Sequence, residues 1–229
     1  MKRNTTFAPG EVYHIYNRGA HKKEVFTSQM DYERLLLLLY VANDSARFEM
    51  RTLFKKYGGR SSVTMFEEEK PTRELVDILA YCLMPNHIHL IVRQKAENGI
   101  SSFFKKVLTG YSMYFNAKHE HSGVLFQGRF KSKHVDTEEY FRYLFAYVHL
   151  NPLDLYDSEW EKRANRDKDA MHAFLAGYPY SSYADYLGGV RPQRAILSLD
   201  DIPDFLRTQN DLDELLRWYT EDRPPEKEV

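Results

Sequence analysis

Between Glu11 and Gly19 the stretch EVYHIYNRG alternates apolar and polar residues around Val12–Tyr16. That is the period of a half-buried strand, and Asn17-Arg18-Gly19 then supplies a turn. Residues from Met30 to about Phe48 read as a long helix. Residues 51–73 lose any clear period, and Gly58-Gly59, Ser61-Ser62 and Pro71 mark an excursion or an inserted hairpin. Two buried-strand runs follow, VDILAYCLM at 76–84 and HIHLIVR at 87–93. Only Pro85-Asn86 separates them, which predicts an antiparallel hairpin. The clearest helical signal comes next. Ile100, Phe103, Phe104, Val107, Leu108, Tyr111, Tyr114 and Phe115 make one stripe at spacings of three and four, with Lys105 and Lys106 off it. A polar turn with Gly123 and Gly128 leads to FKSKHV (130–135), a short strand. DTEEYFRYLFAYVHLNP then predicts a helix with Asp136 as N-cap and Glu139 three residues on, ended before Pro152.

The order is strand, helix, strand, strand, helix, strand, helix. It predicts an α+β fold, a ferredoxin-like β-α-β-β-α-β antiparallel sheet with an added C-terminal helix. Residues 1–155 read as one domain, with an atypical insertion at about 51–73. Residues 156–229 read as a mostly helical extension, with two short amphipathic helices in DDIPDFLRTQNDLDELLRWYTE and a frayed tail after them.

Hydrophobic residues are 43% and charged residues 28% of the 229, the balance of a chain that folds as a globule. One cysteine, Cys82, excludes an intramolecular disulfide and any multi-cysteine metal site. No apolar run is long enough to span a bilayer and no signal peptide is visible, so the expected location is the cytoplasm. The net charge of −1 hides an asymmetry. Residues 101–135 carry Lys105, Lys106, Lys118, Arg129, Lys131 and Lys133 against Glu120 alone, whereas residues 200–229 carry ten acids and four bases. A near-neutral chain with a basic middle can present a phosphate-binding face, and two ordinary solvated surfaces would give the same tally.

Within MPNHIHLIV, His87 and His89 stand two apart on a strand and face one side, while Ile88, Leu90 and Val92 face the other. Two imidazoles so placed can share a metal ion, or can be ordinary sheet-surface histidines. A two-histidine site needs another ligand and leaves positions open. Tyr140, Tyr143, Tyr147 and Asn151 fall on one stripe of the last helix, beside the apolar stripe of Phe141, Leu144, Phe145 and Val148. With 17 tyrosines in the chain, plain packing of each ring is the competing account.

MPNHIHLIV, preceded by VDILAYCL, resembles the HUH motif, in which two histidines flank one apolar residue. YHIYNRG, GVLFQGRFKSKHV and YLFAYVHLNP are similar, in order, to segments of the REP-associated and insertion-sequence-type single-tyrosine HUH transposases. The resemblance spans roughly residues 8–153, interrupted at 51–73, and fades in the C-terminal third. It implies that His87, His89 and Asn151 hold a divalent metal, Mg²⁺ or Mn²⁺, and that Tyr147 is the catalytic tyrosine. It also implies single-stranded, hairpin-forming DNA as partner, cleaved and rejoined through a 5′-phosphotyrosine link, by a monomer or a homodimer. Arg129, Lys131, Lys133, Lys105 and Lys106 are the candidate backbone contacts, with Asn17 and Arg18 beside the first strand. Phe126, Phe130 and Tyr16 are candidate stacking partners for bases, while Tyr114 fits the core stripe better. Three other readings compete: a non-catalytic nucleic-acid-binding module of the same fold, an HUH endonuclease of replication, and a metal hydrolase in which the tyrosine is structural.

Overall fold

A computed structural model describes residues 6–46, 50–57, 66, 68, 71–163, 166–201 and 212–223. Four strands, β1 (Val12–Arg18), β2 (Val76–Met84), β3 (His87–Gln94) and β4 (Lys131–Val135), form one sheet in the order β2-β3-β1-β4. Every neighbouring pair is antiparallel. Helices α1 (Gln29–Val41) and α2 (Met50–Tyr57) lie between β1 and β2. Helix α3 (Gly99–Lys118) joins β3 to β4, and α4 (Glu138–Leu150) follows β4. Then come α5 (Leu153–Tyr156), α6 (Lys168–Gly177), α7 (Tyr183–Tyr186) and α8 (Leu212–Glu221). The class is α+β with a four-stranded antiparallel sheet, and the strands and helices alternate in the order expected from the sequence.

Alternation along the strands divides the interior in two. Tyr13, Ile15, Ile88, Leu90 and Val92 face one side, where Leu35, Leu38 and Leu39 of α1 and Phe103, Phe104, Val107 and Tyr111 of α3 complete a core. Cys82, Met84 and Ile91 face the other, against Phe141, Leu144, Phe145 and Val148 of α4 and Leu215, Leu216 and Trp218 of α8. The histidines of β3 are in phase with Ile91, so they look toward α4. A bulge between Ile78 and Ala80 resets the phase of β2 so that Cys82 and Met84 share that side.

Several local expectations change. Asn17 and Arg18 do not turn the chain: they remain in β1, paired with Ile88 and His87, because pairing with β3 extends the strand to its hairpin end. Gly19 makes the turn possible by close approach. A Cβ there would sit 2.0 Å from the Lys23 carbonyl oxygen, while the Gly19 N–H donates to the Asn86 carbonyl at 2.8 Å. The cap of α4 is Thr137, not Asp136. The Thr137 hydroxyl accepts from the Tyr140 N–H at 3.1 Å, one residue inside the position that the Asp136–Glu139 spacing favours. Helix α1 ends at Val41, short of Phe48. The excursion at 51–73 contains α2, and residues 58–65, 67, 69 and 70 lie outside the described residues. Of the two helices expected after residue 200, α8 is present and residues 202–211 lie outside the described residues. Among the described residues no helix is long and apolar enough to cross a membrane.

Candidate active site

The Pro85-Asn86 turn sets the start of β3, and its position is fixed from outside. Val25 and Phe26 N–H groups both donate to the Pro85 carbonyl, at 2.8 and 3.1 Å. His87 therefore emerges at the sheet's end with His89 one pleat further in, opposite Tyr16 on β1 and Cys82 on β2. Across the layer, α4 presents its tyrosine stripe. The His89 ring meets the Tyr147 ring edge-on, with centres 5.2 Å apart and planes at 88°. One turn on, the Asn151 Oδ1 lies 3.0 Å from His87 Nε2. The Asn151 N–H donates to the Tyr147 carbonyl at 3.0 Å, so the two side chains share one helical edge.

These groups open into one cavity of about 280 Å³. Its walls are Tyr16, Asn17, Arg18, His87, His89, Gln127, Arg129, Lys131, Tyr147, Asn151 and Asp154. Four positive or amide-bearing positions proposed from sequence, Asn17, Arg18, Arg129 and Lys131, thus converge on the histidine pair. Three do not. Lys105 opens onto a separate cavity of about 900 Å³, which Arg129 also lines. The Lys106 ammonium is committed to the carbonyls of Asp44 and Ala46, the latter at 2.9 Å. Lys133 lies over the Tyr140 ring, 4.8 Å from its centre. Phe126 and Phe130 are buried in the α1/α3 core, Phe130 with an edge on the separate cavity beside Lys105, whereas Tyr16 lines the cavity of the histidine pair. The Tyr114 hydroxyl donates to Asp31 at 3.1 Å, in keeping with a packing role.

Burial dominates the electrostatics. It holds His87 down to about 4 and His89 well below the ordinary imidazole value, so both are neutral at neutral pH. Burial pushes the Tyr147 phenol up, and the nearby Tyr143 adds to this. The Asn151 amide, in hydrogen-bonding contact with the hydroxyl, acts in the opposite sense and favours the phenolate.

Residues 51–151 match the family model described as Transposase IS200 like. This region is similar to IS200-like transposases. The match takes in His87, His89, Arg129, Lys131, Tyr147 and Asn151. It begins inside the 51–73 stretch that reads as atypical from sequence, and it leaves out β1. No curated protein matches the chain. Among solved structures, that of a REP-associated tyrosine transposase bound to a REP hairpin is 14% identical. It has a TM-score of 0.48, covering 89% of this chain and 92% of its own. A putative transposase from Deinococcus radiodurans R1 is also 14% identical, with a TM-score of 0.34, over 65% of this chain and 95% of its own.

Two imidazoles and one amide oxygen at the cavity would suit a divalent cation that keeps open positions. Among the described residues no group of three or more His, Cys, Asp or Glu side chains is arranged to hold a metal, so an ion here would rely on imidazole and amide. The Asn86 amide donates through Nδ2 to the Lys22 carbonyl at 3.3 Å, which turns Oδ1 toward His87 Nδ1 at 2.6 Å. The single proton of neutral His87 is therefore on Nδ1. Its Nε2 is a bare lone pair, and it faces the Asn151 oxygen, another lone pair, at 3.0 Å. A cation between these two acceptors would satisfy both. Adjacent ligands of an octahedral ion with bonds of roughly 2.1 Å stand roughly 3 Å apart.

Three members of the site are not singled out by the sequence: His14, Gln127 and Asp154. The His14 imidazole is buried behind His89, its Nε2 2.9 Å from His89 Nδ1. Asp154 accepts from the Trp160 indole at 3.0 Å, and burial raises its carboxyl. The signal for His14 is its phase: it is two residues before Tyr16 on β1, and so is on the side of His89 once the β1–β3 register is known.

Proposed function

We propose that the protein is a metal-dependent transposase of the single-tyrosine HUH type, acting on single-stranded, hairpin-flanked DNA. The observation that carries this reading is the convergence of His87, Asn151 and Tyr147 on one cavity whose rim holds Arg18, Arg129 and Lys131. The strand order β2-β3-β1-β4 accords with a ferredoxin-like sheet as its scaffold.

Arg129 and Lys131, both exposed, hold the phosphates either side of the scissile one. His87, His89 and Asn151 would hold Mg²⁺ or Mn²⁺, which would offset charge that builds on the phosphate. The Tyr147 oxygen attacks phosphorus. An O–P bond forms to the tyrosine, the bond from phosphorus to the 3′ oxygen breaks, and that oxygen leaves as a 3′-hydroxyl after taking up a proton. The product is a 5′-phosphotyrosine, and a second 3′-hydroxyl reverses the step to join strands. Half-buried Tyr147 is a neutral phenol at neutral pH, so its proton leaves only as attack proceeds, and the Asn151 amide favours the anion that develops. The Tyr147 ring meets His89 of its own chain, which supports a site that one chain can supply.

Incubation with labelled single-stranded hairpins and Mn²⁺, followed by denaturing gels, tests the reading. A covalent protein–DNA adduct is expected. Tight binding without any adduct would favour a binding module instead.

A further inference from the structure

The two imidazoles of the HIH pair are held from behind in the same way, by different residues. Nδ1 of His87 meets Asn86 Oδ1 at 2.6 Å. Nδ1 of His89 meets His14 Nε2 at 2.9 Å. His14 is a third imidazole in the cluster, but it is not a third ligand. It is 1% exposed, does not line the cavity, and spends Nε2 on His89. Its ring lies nearly parallel to that of His89, with centres 5.1 Å apart and planes at 16°, and nearly parallel to that of Tyr16, with centres 5.0 Å apart. The groups packed against it are His89, Tyr16, Tyr147 and, across the β1–β4 pair, Lys133.

Two ring nitrogens 2.9 Å apart cannot both carry a proton, and an imidazole that ligates a metal is neutral. Only one proton can then lie between the two nitrogens. If His14 donates it, His89 keeps its own proton on Nε2 and shows the cavity an N–H, which no cation accepts. If His89 donates from Nδ1, its Nε2 becomes a lone pair that faces the cavity alongside His87 Nε2 and Asn151 Oδ1. His87, whose partner Asn86 can only accept through oxygen, is already in the second arrangement.

We infer that His14 is a positioning residue: it accepts the His89 Nδ1 proton and so fixes His89 in the tautomer whose Nε2 is free to bind a divalent cation. This rests on the metal reading proposed above, and it assigns a role to β1, which lies outside the family match. A fixed partner behind a ligating imidazole sets its tautomer and raises its basicity, and loss of such a partner commonly costs 10–100-fold in metal affinity.

Nitrogen-15 spectra of the metal-free protein labelled at histidine test the inference, with His89 assigned by its loss in His89→Gln. The expected result is His89 protonated on Nδ1 and bare on Nε2. His14→Phe, which keeps a flat ring but no acceptor, is expected to release His89 into mixed tautomers and to weaken Mn²⁺ binding by about tenfold or more. His14→Gln, which offers an amide oxygen, is expected to restore the Nδ1–H tautomer and most of the Mn²⁺ affinity. His89 found with its proton on Nε2 in the unaltered protein overturns the inference. So does Mn²⁺ affinity within about twofold of normal in a folded His14→Phe. The failure of the metal reading looks different: the expected tautomer is present, and yet the unaltered protein binds no Mn²⁺.

Discussion

Tyr219 of the acidic C-terminal helix stacks on Tyr147, with ring centres 6.5 Å apart and planes at 13°. The same ring stacks on Tyr143 at 5.7 Å, and its hydroxyl donates to Glu161 at 2.6 Å. Helix α8 is thus docked along the tyrosine edge of α4. A further tie runs from Arg142 Nε to Asp222 at 3.0 Å. Negative charge in this segment is bound into the fold beside the site, and it bears on how firmly Tyr147 is held.

Replacement of Tyr219 should show this. Tyr219→Ala removes a buried aromatic ring and leaves a cavity between α8 and α4. The expected loss is about 3 kcal/mol of stability, read from denaturant unfolding. Tyr219→Phe loses only the bond to the exposed Glu161 and should cost about 1 kcal/mol or less. If the alanine variant is as stable as the phenylalanine one, α8 is not packed as described.

Short-range pattern was enough for part of this architecture. The period of two placed His87 and His89 on one side of β3, and the helical period placed Tyr143, Tyr147 and Asn151 on one edge of α4. Both signals are local and survive any packing. What the sequence hid depends on distance along the chain. His14 meets His89 across 75 residues, through a β1–β3 register that no local pattern encodes. The docking of Tyr219 on Tyr147 is of the same kind. The Asn17-Arg18-Gly19 turn failed for another reason: pairing with β3 outweighed the turn preference of Asn17, whose side-chain oxygen instead accepts the Arg18 N–H at 2.9 Å.

The tyrosine assignment has its own test. Tyr147→Phe removes one hydroxyl and almost no volume, so folding and DNA binding should be unchanged. The DNA adduct should fall to background, because the remaining ring has no nucleophilic atom. Tyr143→Phe is the control. Its ring stacks 6.1 Å from that of Tyr147, but Tyr143 does not line the cavity, and adduct should persist. Adduct formed by Tyr147→Phe and lost in Tyr143→Phe would move the nucleophile.

Acid should destabilise the metal-free protein in a defined window. Burial lowers His14 and His149 to about 3 each, and His149 contacts the Ser182 hydroxyl at 2.7 Å in the core. In the unfolded chain these groups titrate near 6.5. Between about pH 6.5 and pH 3 the unfolded state therefore binds more protons than the folded state, and stability falls as pH falls. The slope is about 1.4 kcal/mol per pH unit for each such histidine. Above about pH 7 the contribution is complete and stability should be flat with respect to these groups. Denaturant midpoints measured with a chelator at pH 8, 6 and 5 check this, and His149→Gln should make the slope shallower.

The cavity rim separates cations that can meet a phosphate from those that cannot. Arg129 and Lys131 are exposed and face the cavity of Tyr147, while Lys106 is bound to two main-chain carbonyls of the α1 side. The combined Arg129→Ala and Lys131→Ala variant should lose roughly tenfold in affinity for single-stranded DNA at about 0.1 M salt. It should also reduce the slope of log affinity against log salt by about 0.7 for each phosphate contact removed. Lys106→Ala should leave that slope unchanged and should instead lower stability, since it frees the Asp44 and Ala46 carbonyls. Titrations of a labelled single strand at several salt concentrations distinguish the two variants. An unchanged slope in the double variant would mean that the strand reaches Tyr147 by another face, with Arg18 as the remaining rim cation to test.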